Sequence, residues 1–149
     1  MTRHSSAVPW SGTAAEMDRA IDEHFGYEAS DDVDGVLGTL AADVDHDVVG
    51  SPTGPVRGRE QAREFYDRLF ADLEQERVTS IRRYYGDDFV VDESVWRGVA
   101  VGSPLGMPGR GRTLEFRILH VFEFAGNGAI QRENVWVDLA AMIRQLPRN

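Results

Sequence analysis

The chain has 149 residues, 42% of them hydrophobic, which suits one ordinary domain with its own core, and we expect a single domain over residues 1–149. Its formal net charge of −9 argues against general affinity for nucleic acid or anionic membranes, because both would repel an acidic surface. The absence of cysteine excludes disulfides and thiolate metal sites. No apolar stretch has the length of a signal peptide core or a membrane span, so we expect a cytoplasmic protein.

The first half of the chain has the periodicity of helices, after residues 1–12, which we expect to form a loose arm. In "TAAEMDRAIDEHFG", Thr13 and Glu16 stand at capping-box spacing and Gly26 ends the pattern, which predicts a first helix. Ser30 is expected to cap a second, shorter helix, and "VDHDVVG" then predicts a strand. Apolar residues recur at helical spacing in "REQAREFYDRLFADL", which predicts a third helix.

The period of the apolar pattern changes to two after the third helix. Four strands are predicted from "VTSIRRYY", "DFVVDESVWRGVAV", "RTLEFRILHVFEF" and "AIQRENVWV", and "LAAMIRQL" predicts a last helix. Helices followed by a meander of long strands indicate an α+β fold, in which helices cover one face of a curved antiparallel sheet.

The register of the last hairpin decides which side chains face the helices. The Asn-Gly of "AGNG" suggests a two-residue turn, whereas a turn one residue longer pairs Phe124 with Ile130 and keeps apolar residues together. We therefore adopt the longer turn, which also pairs His120 with Asn134. The inner face predicted in this way carries Phe116, Ile118, His120, Phe122, Phe124, Ile130, Arg132, Asn134, Trp136 and Asp138. The outer face has a central apolar strip, which suggests a homodimer interface.

Polar residues on a helix-covered sheet face are typical of a small-molecule site. His120, Asn134 and Asp138 are hard to explain as core alone, because a buried polar group is costly without a partner. Candidate residues for the pocket wall are aromatic, although aromatic residues at such spacing also build ordinary cores: Phe65, Tyr66, Trp96 and Trp136. His24, on the apolar stripe of the first helix, is a further candidate for substrate contact, although a structural role is the more common one there.

The order of "VDHDVVG", "GPVRGREQAREFY", "GSPLGMPGRGRTLEF" and "GAIQRENVWVDLAAMIRQLP" resembles the SnoaL-like polyketide cyclases over roughly residues 14–147. Their superfamily includes ketosteroid isomerase, scytalone dehydratase, limonene epoxide hydrolase and nuclear transport factor 2. The resemblance implies a cone-shaped α+β barrel, in which a bent sheet wraps around a pocket and often dimerises through its outer face. It also implies that Asp138 is the acid/base and that His46 is the family's histidine. Many members have a tryptophan where this chain has Asn134.

These residues suggest general acid/base chemistry on a hydrophobic, carbonyl-bearing small molecule. Burial among aromatic side chains raises the pKa of an aspartate, and a histidine titrates near neutral pH. Asp138 with His46 or His120 would therefore supply the proton transfers of an intramolecular aldol cyclisation or an isomerisation, without a metal or another cofactor. A structural role is open for each residue: Asp138 could cap the last helix, His46 could lie on a solvated strand, and His120 could be a core histidine.

Two other functions stay open. Epoxide hydrolysis in the related family uses two aspartates and an arginine to position water, and Arg132 with Asp138 would supply part of that set. Because Asp92 and Glu93 are adjacent on a predicted strand, only one of them can face inward, and a second inward aspartate is not evident. A non-catalytic ligand-binding domain is the other alternative.

Overall fold

The computed structural model describes residues 12–146, so the expected N-terminal arm lies, except for Gly12, outside the described residues. The helices are α1 (Ala14–Ala29), α2 (Val33–Thr39), α3 (Gly58–Asp72) and α4 (Leu139–Gln145), with a 3-10 turn at Pro104–Gly106. The strands are β1 (Leu40–Val49), β2 (Val56–Arg57), β3 (Leu73–Tyr85), β4 (Phe89–Ala100), β5 (Arg112–Phe124) and β6 (Ile130–Val137). The expected α+β class is confirmed.

Side-chain caps begin the first two helices. Thr13 and Glu16 form the predicted capping box, in which each side chain accepts a hydrogen bond from the other residue's backbone N–H, at 3.2 and 2.8 Å. The helix α1 continues to Ala29, beyond its expected end. The expected cap of α2, Ser30, is wrong, because its hydroxyl donates to the last carbonyls of α1. Asp32 caps α2 instead, by accepting a hydrogen bond of 2.9 Å from a backbone N–H three residues on.

The sheet is mixed, which corrects the expectation of an antiparallel barrel. The strand order is β2-β1-β6-β5-β4-β3, and within residues 12–146 the sheet is open, with β2 and β3 as its edges. Strands β1 and β6 pair in parallel, and the chain passes through α3 and four strands, β2 to β5, between them. The other pairs are antiparallel. The parallel pair places His46 of β1 directly beside Glu133 of β6.

A bulge in the β5–β6 hairpin changes the expected register. The three-residue turn is present and Phe124 pairs with Ile130, as predicted. Gln131 is then an extra residue, because Glu123 pairs with Arg132. The side chain of Gln131 donates to Asp43 of β1. From that point the partner of each β5 residue is shifted by one.

The shift reverses the two faces of β6 from Arg132 onward, whereas Ile130 keeps its predicted inner position. Glu133 and Val135 face the helices, and Glu133 is only 1% exposed. Arg132, Asn134 and Trp136 face the other side, and Trp136 is 41% exposed. The expectation that these three side chains lie on the inner face is therefore wrong.

Two apolar clusters fill the space under the helices. The closed-end core lies beneath α1, α2 and α3 and consists of Met17, Ile21, Val36, Leu37, Leu40, Val44, Ala62, Tyr66, Val90, Phe122, Phe124 and Ile130. The open-end core lies near α4 and consists of Leu73, Trp96, Ala100, Leu114, Phe116, Met142 and Leu146. Among the described helices, none combines the length and apolar character needed to span a membrane.

Candidate functional site

A cavity of about 340 Å³ opens between the helices and the inner face of the sheet. Its wall is mostly aromatic and aliphatic, with contributions from α1, α3, α4 and strands β1 and β3 to β6. The loops at residues 51–53 and 103–106 border it at the open end. Phe65, Tyr66 and Trp96 are among the lining residues, as are His46 and His120. The size and the apolar wall suit a small hydrophobic ligand.

The carboxylate of Glu133 is the centre of a buried polar cluster in the cavity wall. Tyr66 donates a hydrogen bond of 3.0 Å to one of its oxygens, and Nε2 of His24 lies 3.1 and 3.2 Å from the two oxygens. Nε2 of His46 lies 3.6 Å and Nε2 of His120 lies 4.0 Å from the same carboxylate. Five elements thus bring one carboxylate, three imidazoles and one phenol together.

His24 is positively charged, as its hydrogen-bond partners show. Its Nδ1 lies 2.7 Å from the hydroxyl of Thr39, whose hydrogen is already donated to the carbonyl of Val36, so Nδ1 must donate. Its Nε2 faces the carboxylates of Glu28, at 2.7 Å, and Glu133, and must donate as well. Burial alone would lower the pKa of His24, but the charges of Glu133 and Glu28 outweigh burial and raise that pKa to about 10.

The partners of His24 hold fixed protonation states at neutral pH. Burial would raise the pKa of Glu133, but the charge and hydrogen bond of the His24 imidazolium hold that pKa well below its usual range. Burial and the charge of Glu133 raise the pKa of Tyr66 well above its usual value. Glu133 is therefore ionised, and Tyr66 remains a hydrogen-bond donor.

His46 and His120 are neutral and keep one ring nitrogen free. Burial lowers the pKa of both imidazoles, and the charge of Glu133 does not compensate. Nε2 of His46 lies 3.2 Å from the hydroxyl of Tyr66, whose hydrogen is donated to Glu133, so Nε2 donates and the lone pair is on Nδ1. For His120, the carboxylate of Glu133 at 4.0 Å from Nε2 favours the same tautomer. Both Nδ1 atoms are buried and have no hydrogen-bond partner within residues 12–146. Aromatic contacts hold the rings, with Phe65 at 4.5 Å from His46 and Phe122 stacked at 5.3 Å on His120. Each Nδ1 thus keeps a lone pair that no described residue uses.

Asp138, the expected acid/base, lies outside the cavity. It is exposed, and its carboxylate accepts a hydrogen bond of 3.0 Å from the backbone N–H of Ala141, so it caps α4. It does not appear among the described residues of the cavity wall. The physical reason is local: β6 ends at Val137, and the chain turns into α4 at Asp138 itself.

The other residues expected at the site separate into two groups. Arg132 donates to Asn134 at 2.8 Å, and both lie beside a shallow polar pocket on the far side of β6. Trp136 also lies on that side, so substrate contact by these three residues in the cavity is not supported. His24 is fully buried behind Glu133 and is outside the described cavity wall. Its contacts stabilise Glu133, not a ligand.

Glu133 is the residue that sequence reasoning missed. Its spacing to Val135 and Val137 is the period of a strand face, and that face turns inward once the bulge at Gln131 is present. The sequence signal was a charged residue in line with two valines. It is a weak signal, because the same pattern suits a solvated face.

Of the adjacent acidic residues of β4, Asp92 faces inward and is fully buried. Arg83 contacts its carboxylate at 2.8 Å, and Ser80 and Ser94 donate hydrogen bonds to it. Burial would raise the pKa of Asp92, but these hydrogen bonds lower it. Asp92 is not among the described residues of the cavity wall.

The contacts of His24 bear on metal binding. The donor atoms of His24, Glu28 and Glu133 lie within 4.8 Å of one another, a spacing that a metal ion could also use. A cation there would compete with the proton on Nε2 of His24, because both need the same lone pair. The ion pairs of protonated His24 with Glu28 and Glu133 therefore cannot coexist with a metal ion at this position.

The fold agrees with comparison to known proteins. The family model described as SnoaL-like polyketide cyclase matches residues 15–146. The chain belongs to this SnoaL-like family. A comparison with curated proteins gives no match.

Solved structures share the fold of this SnoaL-like chain. TsrD from Streptomyces laurentii is 19% identical, with a TM-score of 0.76 over 90% of this chain and 96% of its own. An LEH-like epoxide hydrolase of M. tuberculosis is 20% identical, with a TM-score of 0.70 over 89% and 90%. A ketosteroid isomerase-like protein from Catenulispora acidiphila, in complex with trimethylamine, is 20% identical, with a TM-score of 0.71 over 86% and 93%. At such identities the likeness concerns the fold.

Proposed function

We propose that the protein is a general acid/base enzyme that acts on a hydrophobic, carbonyl-bearing small molecule, by intramolecular aldol cyclisation or isomerisation. One observation carries the proposal: His46 and His120 are neutral imidazoles in an apolar cavity wall, each with an unpartnered Nδ1 and with Nε2 directed at Glu133. Membership of the SnoaL-like polyketide cyclase family supports a polyketide-type substrate.

The imidazoles are suited to remove a proton from carbon beside a carbonyl. The lone pair on Nδ1 takes the proton, and the ring becomes positively charged. The negative charge of Glu133, whose carboxylate lies 3.6 Å from Nε2 of His46 and 4.0 Å from Nε2 of His120, stabilises the charged ring electrostatically. In this proposal Glu133 orients and supports the base, and Asp138 takes no part in the chemistry.

The position of Glu133 between two imidazoles supports a return of the proton as well. The same carboxylate can stabilise a proton on His46 or on His120, so either ring can serve as base and, once protonated, as acid. An aldol cyclisation needs both functions: one proton leaves carbon, and one reaches the oxygen of the attacked carbonyl. The charged His24 keeps Glu133 ionised throughout.

Epoxide opening has less support. The arginine and aspartate that pair in the interior are Arg83 and Asp92, and both are outside the described cavity wall. The guanidinium of Arg83 also contacts Asp18 and Asp22 of α1, each at 2.8 Å. The geometry therefore favours proton transfer at carbon.

The test is deuterium uptake from D2O at the carbon beside the ketone of methyl benzoylpropionate, followed by proton NMR. We expect exchange above the buffer rate, and a fall of about 100-fold or more in the His46→Gln/His120→Gln double variant, with a smaller fall in each single variant. Glutamine is the chosen replacement because its amide can keep the contact of Nε2 with Glu133. Asp138→Ala is the control and should stay within about twofold of wild type.

The ligand-binding alternative predicts another result. If calorimetry shows that the ester binds, but wild type exchanges no faster than the His46→Gln/His120→Gln double variant, the protein is a binding domain and the enzyme proposal is wrong.

We also propose that the protein forms a homodimer through the outer face of the sheet. Trp136 is 41% exposed and Tyr84 is 51% exposed on this face, and the half-buried Leu119, Val121 and Val91 lie between them. Burial of such a strip would stabilise association. Sedimentation equilibrium should give twice the chain mass for wild type and the chain mass for Trp136→Lys. A monomeric wild type would refute the dimer.

A further inference from the structure

A second set of polar groups lies in the cavity wall, around the junction of α3 and β3. Arg68 of α3 and Gln75 of β3 both line the cavity. Gln75 pairs with Gly98 of β4, whereas His120 pairs with Asp92 of the same strand. Six residues of a strand extend about 20 Å, so these groups belong to the open end of the cavity and the imidazoles to its interior.

The amide of Gln75 is held as a donor. Nε1 of Trp96 donates a hydrogen bond of 3.2 Å to Oε1 of Gln75, and an indole nitrogen can only donate. The amide oxygen therefore faces Trp96, and the amide NH2 has no hydrogen-bond partner among the described residues. Trp96 is itself fixed by a stacked contact with Phe116, with ring centroids 5.0 Å apart.

Arg68 differs from the other arginines of α3. Arg63 forms an ion pair of 2.6 Å with Asp34, and Arg59 donates to the carbonyl of Leu40. Arg68 has no ion pair in the described part of the chain, and it is the sole lysine or arginine among the described residues of the cavity wall. Asp72, one helical turn later, accepts a hydrogen bond of 2.9 Å from the backbone N–H of Ser103.

The charges within the cavity favour one orientation of an anionic ligand. The interior end holds two carboxylates, Glu28 and Glu133, and one imidazolium, His24, so a further anion would be repelled there. The open end offers the guanidinium of Arg68 and the NH2 of Gln75, which both only donate. The carboxylate of Asp72 also lines this end, but it already accepts the hydrogen bond from the backbone N–H of Ser103. Because the whole chain carries a net charge of −9, its general field does not attract anions, and local donors must bind them.

We infer that the substrate is an amphipathic acid, whose carboxylate is bound by Arg68 and Gln75 at the open end while its apolar carbonyl-bearing part reaches His46 and His120. This inference rests on the proposed function for the reacting part of the substrate. It adds the class of the substrate and its direction in the cavity.

The test compares 8-oxo-8-phenyloctanoate, whose longer chain separates the carboxylate from the ketone, with its methyl ester by isothermal titration calorimetry at neutral pH. Wild type should bind the acid about tenfold more tightly than the ester. The Arg68→Gln variant should lose about tenfold in affinity for the acid and less than about twofold in affinity for the ester. The Gln75→Glu variant keeps an acceptor for Trp96 and removes the amide donors, so it should weaken binding of the acid more than binding of the ester. Arg63→Gln, on the same helix but outside the cavity, should change neither.

Equal affinity of wild type for acid and ester, or an equal loss for Arg68→Gln and Arg63→Gln, would overturn the inference. The result is independent of turnover. An acid preference that depends on Arg68, without any deuterium exchange, would leave this inference standing and refute the acid/base proposal. Exchange that depends on His46 and His120, without an acid preference, would do the reverse.

Discussion

Two buried carboxylates, Asp92 and Glu133, face the same side of the sheet and have opposite surroundings. Asp92 accepts hydrogen bonds from Arg83, Ser80 and Ser94, groups that keep their charge or neutrality at every ordinary pH. Glu133 contacts imidazoles, which change protonation near neutrality, and two of those rings keep an unpartnered nitrogen. Burial of a charge is therefore not the sign of a functional site. The sign is an unpartnered, titratable atom beside a cavity.

The largest expected effect comes from removing the charge partner of Glu133. His24→Gln leaves Glu133 buried without a full opposite charge, which should lower the free energy of unfolding by about 3–5 kcal/mol in urea denaturation. The double variant His24→Gln/Glu133→Gln should recover a large part of the lost unfolding free energy, because Glu133 is no longer a buried charge without a partner. A single variant within about 1 kcal/mol of wild type would show that the pair contributes little.

Neutralising each carboxylate in turn should separate catalysis from stability. Glu133→Gln removes the charge that stabilises a protonated imidazole, so deuterium exchange should fall about 100-fold. Asp92→Asn should leave exchange within about twofold of wild type and lower the free energy of unfolding by about 1–3 kcal/mol, since Arg83 loses a charged partner. Equal losses of exchange rate in the two variants would remove the distinction between these carboxylates.

The dependence of stability on pH should have two limbs with separate origins. The pKa of His24 is raised from 6.5 to about 10, so its contribution is complete below 6.5 and is lost as pH rises toward about 10. The pKa values of Glu133, His46 and His120 are lowered, so acid protonates groups that the folded state keeps unprotonated. The unfolding free energy should peak near neutral pH and fall by about 2 kcal/mol toward pH 10. In His24→Gln the alkaline decline should disappear, and its persistence would assign it to another group.

The smallest effect is expected at Asp138. Asp138→Ala removes the cap of α4 and should lower the free energy of unfolding by about 1 kcal/mol, whereas Asp138→Asn keeps a capping oxygen and should match wild type. Deuterium exchange should be unchanged in both. A large loss of exchange in Asp138→Asn, with stability intact, would return Asp138 to the acid/base role.

The sequence pattern predicted the elements better than their contacts. Helix caps and strand periods are local properties, so the capping box at Thr13 and the four long strands could be read directly. The parallel pairing of β1 with β6 could not, because it joins distant parts of the chain.

The face of β6 could not be read for a different reason. "IQRENVWV" has apolar and polar residues on both faces, so its period could not reveal the bulge at Gln131. What selects the bulge is long-range: Glu133 meets His24 and Tyr66 only in the folded protein. Glu133 was missed because of this bulge, whereas Asp138 was misplaced because β6 ends one residue before it.

The pairing of β1 with β6 also has a consequence for folding. His24 and Glu133 are 109 positions apart, and contacts between distant positions form slowly because long loops must close first. Until β6 docks beside β1, we expect Glu133 to be a hydrated side chain with an ordinary acidity, and His24 to lack its charge partner. The proton-transfer activity would then appear only when the last strand is in place, so an incompletely folded chain should be inactive.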